Sequence, residues 1–172
     1  ARTPKVVQRL LATLSTPSES VQYAVAQCLP PLVRACSDQA TSFLQQMVDE
    51  TLHAKKYAAR RGAAYGLGGI VKGKGIAILR EARVLSTIRG ATENKKDVNE
   101  RQGAFLCYEL LSLILGRVFE PYVIQIVPQL LSGFGDTSAD VRAACLDAAK
   151  TCFSSLSSYG VKQVLPTLLE GL

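Results

Sequence analysis

The sequence predicts an all-α fold in which antiparallel helix pairs stack into a right-handed superhelix. Three observations predict it. Ala, Leu and Val dominate while aromatic residues are 6% and Trp is absent, a composition that suits helix-on-helix packing better than a β-sandwich. Apolar residues recur with helical spacing: Val141, Ala144, Cys145, Ala148 and Cys152 fall at i, i+3, i+4, i+7 and i+11 on one stripe. And the chain repeats.

The repeat is legible in three segments, VVQRLLATL from Val6, IVPQLLSGF from Ile126 and VLPTLLEGL from Val164. Each carries an apolar residue, then a Leu pair, then a further apolar residue (Leu14, Phe134, Leu172). Weaker copies start at Leu44 (LQQMV) and Val84 (VLSTI), so the anchors Val7, Leu44, Val84, Val127 and Leu165 are separated by 37, 40, 43 and 38 residues. Between them lie four copies of a second helix, led by Val21, Tyr57, Val98 and Val141. A period near 40 with two helices per unit is the HEAT (ARM-type) signature; 34 or 33 would indicate other arrays. We therefore expect four helix pairs plus one helix, in approximate units 1–38, 39–74, 75–116, 117–158 and a partial 159–172, within a single segment of a larger solenoid.

Taken in order, the first pair is joined by STPSES (Ser15–Ser20), with Pro17 near the start of the second helix, where a missing N–H costs little. Pro30-Pro31 lies inside that helix and is expected to kink or end it. In the second pair, Tyr57 to Val71 is helical by register with Arg101–Ile114. Both helices share Arg-x-Gly-Ala, as Arg60-Gly62-Ala63 and Arg101-Gly103-Ala104. The third pair is linked by TENKKD and the fourth by GDTSAD, where Ser138 is the expected cap. The last helix is expected to expose Val164, Leu165, Leu168 and Leu172.

Catalytic and ligand-binding chemistry finds little support. GGIVKGKG (Gly68–Gly75) approaches a phosphate-binding loop, but Gly75 stands where Ser or Thr would hold magnesium, and no strand precedes it. Gly66, Gly68 and Gly69 read as close helix–helix contacts, with Lys72-Gly73-Lys74-Gly75 as an exposed turn. Five cysteines without a CxxC, and His53 as the single histidine, argue against a metal site or a cysteine–histidine nucleophile. Most of the cysteines read as small buried hydrophobes, and the compartment as reducing. We expect neither enzyme activity, cofactor nor metal. The longest apolar stretch, Ala104 to Gly116, is interrupted by Glu109 and too short to span a bilayer. The chain opens on Ala1 rather than Met, and reads as part of a longer protein.

Charge is the remaining signal. The net charge is +6, yet Lys55 to Arg101 holds twelve Lys/Arg against four acids, an excess of +8 that leaves −2 for the rest. Such a band suits a polyanion or an acidic partner, or is a solvated face. Its candidate contacts are Lys55, Lys56, Arg60, Arg61, Lys72, Lys74, Arg80, Arg83, Lys95 and Lys96. The matched register of Arg60 and Arg101 also invites pairing with acids across units. The lysines fall at helix ends and turns, while Arg80, Arg83 and Arg89 are expected on a first helix. With few aromatics nearby, phosphate contact with structured RNA is favoured over base stacking. The basic middle argues against an array with an acidic inner surface.

YAARRGAAYGLGGIVKGKGI from Tyr57, ERQGAFLCYELLS from Glu100 and EPYVIQIVPQLLSGFGD from Glu120 together resemble the general-control-nonderepressible-one family, very large HEAT-repeat co-activators of the amino-acid-starvation kinase. The likeness is to its central, elongation-factor-three-like region, and the block RRGAAYGL from Arg60 is its most specific part. The resemblance implies a cytosolic, non-enzymatic scaffold on translating or collided ribosomes that promotes phosphorylation of the α subunit of initiation factor two. It implies rRNA or ribosomal protein and an ABC-type ATPase as partners, with the kinase engaged through other regions, and it supplies no catalytic residue. The alternative is a protein-docking or spacer module that binds the ATPase partner without touching RNA.

Overall fold

A computed structural model describes residues 2–171. Its elements are α1 (Thr3–Thr13), α2 (Glu19–Ala35), α3 (Ala40–His53), α4 (Tyr57–Lys74), α5 (Ile78–Glu81), α6 (Val84–Thr92), α7 (Val98–Leu115), α8 (Glu120–Phe134), α9 (Ala139–Ser154) and α10 (Ser158–Glu170), with 3-10 turns at Ser37–Gln39 and Gly116–Phe119. Among the described residues there is no strand. Helices α1 and α2, α3 and α4, α6 and α7, and α8 and α9 pack as pairs, and α10 returns onto α8. The second helices α2, α4, α7 and α9 pack on one another in sequence to form the densest layer. The all-α HEAT solenoid is therefore the fold.

The recurring anchors have a common job. Val7, Leu44, Val84 and Val127 are all buried. Removing a methylene-rich side chain from such a site costs about 2–5 kcal/mol. Leu165 differs: it is 49% exposed, while Val164 is buried. Helix α10 docks on α8 through Val164 and Gly160, and Glu120 holds its first turn by accepting from the Ser157 N–H and from its hydroxyl at 2.8 Å. The exposed apolar residues of α10 are thus Tyr159, Val161, Leu165 and Leu169; of the expected stripe, Leu165 is exposed, Leu168 is half-buried and Val164 is buried. Leu172 lies outside the described residues.

Four local expectations are corrected. Helix α2 does not end at Pro30-Pro31 but continues to Ala35. The Ala26 carbonyl, which Pro30 cannot engage, lies against α4, where Gly69 leaves it room: a Cβ on Gly69 would stand 2.7 Å from that oxygen. Lys72-Gly73-Lys74 is not a turn. It is the last turn of α4, Gly73 is buried against Pro30 and Val33, and the chain turns at Gly75 with φ +107°. The first helix of the third unit is only nine residues long, because Arg83 at φ 53° separates it from the four-residue α5. Arg80 therefore sits on the short α5, Arg83 at the break before α6, and only Arg89 on α6 itself. Ser138 holds its cap position without a side-chain cap bond; Asp136 instead accepts from the Ser138 N–H at 2.8 Å.

Helix α7 lies at the centre, against α3, α4, α6 and α9, and so is buried on most sides. This accounts for Val98–Phe134, which reaches a mean hydropathy of 1.6 and is long and apolar enough to cross a membrane by composition. In the fold it is α7 and α8, with their apolar surface turned to neighbouring helices rather than lipid.

Candidate functional site

The basic band divides into a buried part and an exposed part. Its buried part, Arg60 and Arg101, belongs to a ladder along the edge formed by the within-unit turns. In each unit one residue near the start of the second helix donates to carbonyls at the end of the first helix or in the following turn. Gln22 Nε2 donates to Leu14 O (3.0 Å) and Thr16 O (2.7 Å). Arg60 donates to Ala54 O (2.9 Å) and Lys55 O (3.0 Å). Arg101 donates to Asn94 O (2.9 Å), and Arg142 to Asp136 O (2.6 Å) and Thr137 O (3.1 Å). Helix ends leave carbonyls without intrahelical partners, and these side chains satisfy them.

The same side chains reach into the next unit. Gln22 donates to Ala58 O at 2.8 Å and accepts from Arg61 Nε at 2.8 Å. Arg60 donates to the Gln102 side-chain oxygen. Arg101 forms a two-pronged pair with Asp136, at 2.8 and 3.1 Å. Its hydrogen bond holds the Asp136 carboxyl below the usual range. Arg61 also donates to Pro17 O (2.9 Å) and Glu19 (3.3 Å), and lies 5.5 Å from the Tyr57 ring centroid.

Arg60 and Arg61 therefore leave the candidate surface. Arg60 is 3% exposed, its guanidinium engaged within the ladder. Arg61 is spread over Gln22, Glu19 and Pro17. Arg101 meets an acid of the next unit, as its register suggests, whereas Arg60 meets an amide. Gln22, Gln102 and Asp136 are structural partners that sequence reasoning missed. Gln22, Arg60, Arg101 and Arg142 do recur at intervals of 38, 41 and 41, but the first member is not an arginine, which hides the series.

The exposed part lies on two opposite edges. Lys55, Lys56, Lys95 and Lys96 occupy two consecutive within-unit turns, exposed and with no side-chain partner among the described residues. Lys72, Lys74, Arg80 and Arg83 gather at the other edge, around the link from α4 to α6. Lys74 is partly engaged, donating to the Ser37 hydroxyl (2.6 Å) and carbonyl (3.2 Å). Arg89 pairs with Glu93 at 3.7 Å on an exposed stretch of α6, an interaction worth little in water.

Among the described residues the buried cysteines are not activated nucleophiles. Burial pushes the thiols of Cys107, Cys145 and Cys152 up to about 12, so they stay protonated at neutral pH. His53 ends α3, half-exposed, and bonds Asp49 at 3.0 Å.

The family model for the EF3 N-terminal HEAT repeat matches residues 60–172, about two thirds of the chain. The chain belongs to the EF3 N-terminal HEAT repeat family. It is 47% identical over 97% of its length to the stalled ribosome sensor GCN1 of human and of mouse. It is 43% identical over its full length to the eIF-2-alpha kinase activator GCN1 of Dictyostelium discoideum. The chain spans only 6–7% of the length of these relatives. The resemblance expected from RRGAAYGL is thereby shown, and the EF3-type HEAT match begins at Arg60, the first residue of that block.

One acid on the second-helix face departs from ordinary behaviour. Glu109, on α7, is pushed up to about 7, first by burial, then by Asp147 and Glu19, with Arg61 opposing. A carboxyl whose folded value lies above the unfolded one contributes stability that is complete below about pH 4.5 and lost as pH rises through about 7. Glu109→Gln is expected to raise stability at pH 8 by about 1–2 kcal/mol, discounted for partial solvent access, and to flatten the pH 5–8 profile. Urea unfolding at both pH values checks this; equal stability gains at pH 5 and pH 8 would remove the electrostatic explanation.

Proposed function

We propose that this chain is a non-enzymatic scaffold segment of a cytoplasmic, ribosome-associated regulator that promotes activation of the initiation-factor-two-alpha kinase, and that its lysine edges contact rRNA. The roles by which the GCN1 relatives are named, a stalled ribosome sensor and a kinase activator, support the coarse reading. One observation carries the finer one. Arg60, Arg61 and Arg101 are engaged inside the solenoid, whereas Lys55, Lys56, Lys95 and Lys96 stand free on neighbouring turns of one edge. Flexible ammonium groups on a repeating edge suit phosphate contact, since each stem reaches a phosphate without prior alignment. The kinase and an ABC-type ATPase are engaged, in this reading, by the wider parent chain.

The test is ribosome co-sedimentation of the chain and of a variant carrying Lys55→Glu, Lys56→Glu, Lys95→Glu and Lys96→Glu. Binding is expected to fall about tenfold or more at about 50 mM salt, with the salt slope shallower by roughly one for each phosphate no longer neutralised. A companion variant, Lys72→Glu with Arg80→Glu, apportions binding between the two edges. Unchanged binding by both variants means that the band is a solvated face. ATPase-partner capture that survives high salt and all these reversals would favour the docking or spacer alternative.

A further inference from the structure

A concave site of opposite sign lies on the face of the second helices. Between α4, α7 and α9 a depression of about 370 Å³ is lined by Tyr57, Arg60, Leu106, Glu109, Asp140 and Asp147, among others. None of its three carboxylates is in an ion pair among the described residues. Arg60, 3% exposed, lines the same depression, and its Nε finds no acceptor. Tyr57 is 45% exposed, so an apolar flank stands beside the acids. The free lysines of the basic middle are on its turns and the last turn of α4; Lys150, outside the middle, stands on α9 about one helical turn from Asp147. The basic middle of the sequence therefore conceals an acidic, aromatic-flanked hollow, because the cations go to the edges and the ladder.

We infer that this hollow receives a lysine or arginine side chain of a basic protein segment, its charged head between Glu109 and Asp147 and its aliphatic stem along Tyr57 and Leu106. A cation there relieves the repulsion between Glu109 and the Asp147 and Glu19 carboxylates, a relief that Arg61 supplies only in part. Nucleic acid is disfavoured by sign, since its phosphates would meet three carboxylates. The surface is separate from the lysine edges, and the inference does not rest on ribosome binding.

The probe is an octalysine peptide titrated into the chain at about 50 mM salt, where screening still permits surface attraction. Glu109→Gln with Asp147→Asn is expected to weaken binding about fivefold or more. Asp38→Asn with Glu81→Gln alters net charge equally at exposed acids elsewhere, and is expected to weaken it less than about twofold. Carboxyl NMR should show Glu109 titrating at lower pH when octalysine is present, a change that a merely structural role would not produce. Because Glu109→Gln is expected to stabilise the fold, lost binding is not lost structure. Equal weakening by the two double variants, an unmoved Glu109 titration, or preferential binding of an RNA oligonucleotide at this face would overturn the inference.

Discussion

Asp136→Ala is expected to destabilise the chain by about 3–5 kcal/mol, one of the two largest losses available to a single substitution here. Asp136 and Arg101 are 13% and 7% exposed at the side chain, and the pair is two-pronged. Removing the carboxylate leaves a guanidinium in a poorly solvated place with Asn94 O as its remaining partner. It also removes the acceptor of the Ser138 N–H at the start of α9. The expected effect is therefore on the joint between the third and fourth units. The pH dependence has a definite sign. The folded Asp136 carboxyl is held below its usual 3.8, so its contribution is present above that value and lost as pH falls through the folded value. Urea unfolding at pH 7 and pH 3 should show the wild type losing stability on the acid side and Asp136→Ala losing less. A cost under about 1 kcal/mol at pH 7, the size of an exposed pair, would mean that the pair does not hold the two units together.

Gly62→Ala and Gly103→Ala are expected to cost about 3 kcal/mol or more each, above the usual range for overpacking by one methyl. A Cβ on Gly62 would overlap the Leu14 carbonyl oxygen, and one on Gly103 the Thr51 carbonyl oxygen. Both obstacles are backbone, and Leu14 O is additionally held by Gln22. Relief therefore requires the second helix to move away from the preceding first helix, opening the interface between units. Gly90, in α6, is the contrasting site: nothing lies within 4 Å of a Cβ there. Gly90→Ala is expected to stabilise by about 0.5–1 kcal/mol through helix propensity and reduced unfolded-state entropy. Thermal unfolding of the three variants checks the contrast, and a neutral Gly62→Ala would show that the units approach less closely than described.

These residues also show what could be read in advance. The period near 40 and the Leu-pair anchors led directly to the helix pairs, because apolar spacing of 3.6 places Val7 and Leu11, or Val141 and Cys145, on one face whatever lies opposite. The helical place of Gly66, Gly68 and Gly69 followed from register with α7. Pro30-Pro31 does not end its helix, because proline chemistry is local while α2 is kept by packing against α4. Arg60 and Arg61 misled for a related reason. An arginine at a helix start is written identically whether it faces water or the carbonyls and amides of a neighbouring unit.

The charge map was the least legible part. Counting from Lys55 to Arg101 mixed ladder arginines with free lysines, and passed over Glu109 and Asp147, which lie outside that window. By itself the sequence determined which residues share a helix, which stripe is apolar and how often the motif recurs, since these depend on spacing along one chain. Only the tertiary structure decided which cations are buried, which acids converge and where two helices touch at glycine. Those properties belong to pairs of residues about 40 positions apart, and their energies depend on distance and solvent access that no local pattern encodes.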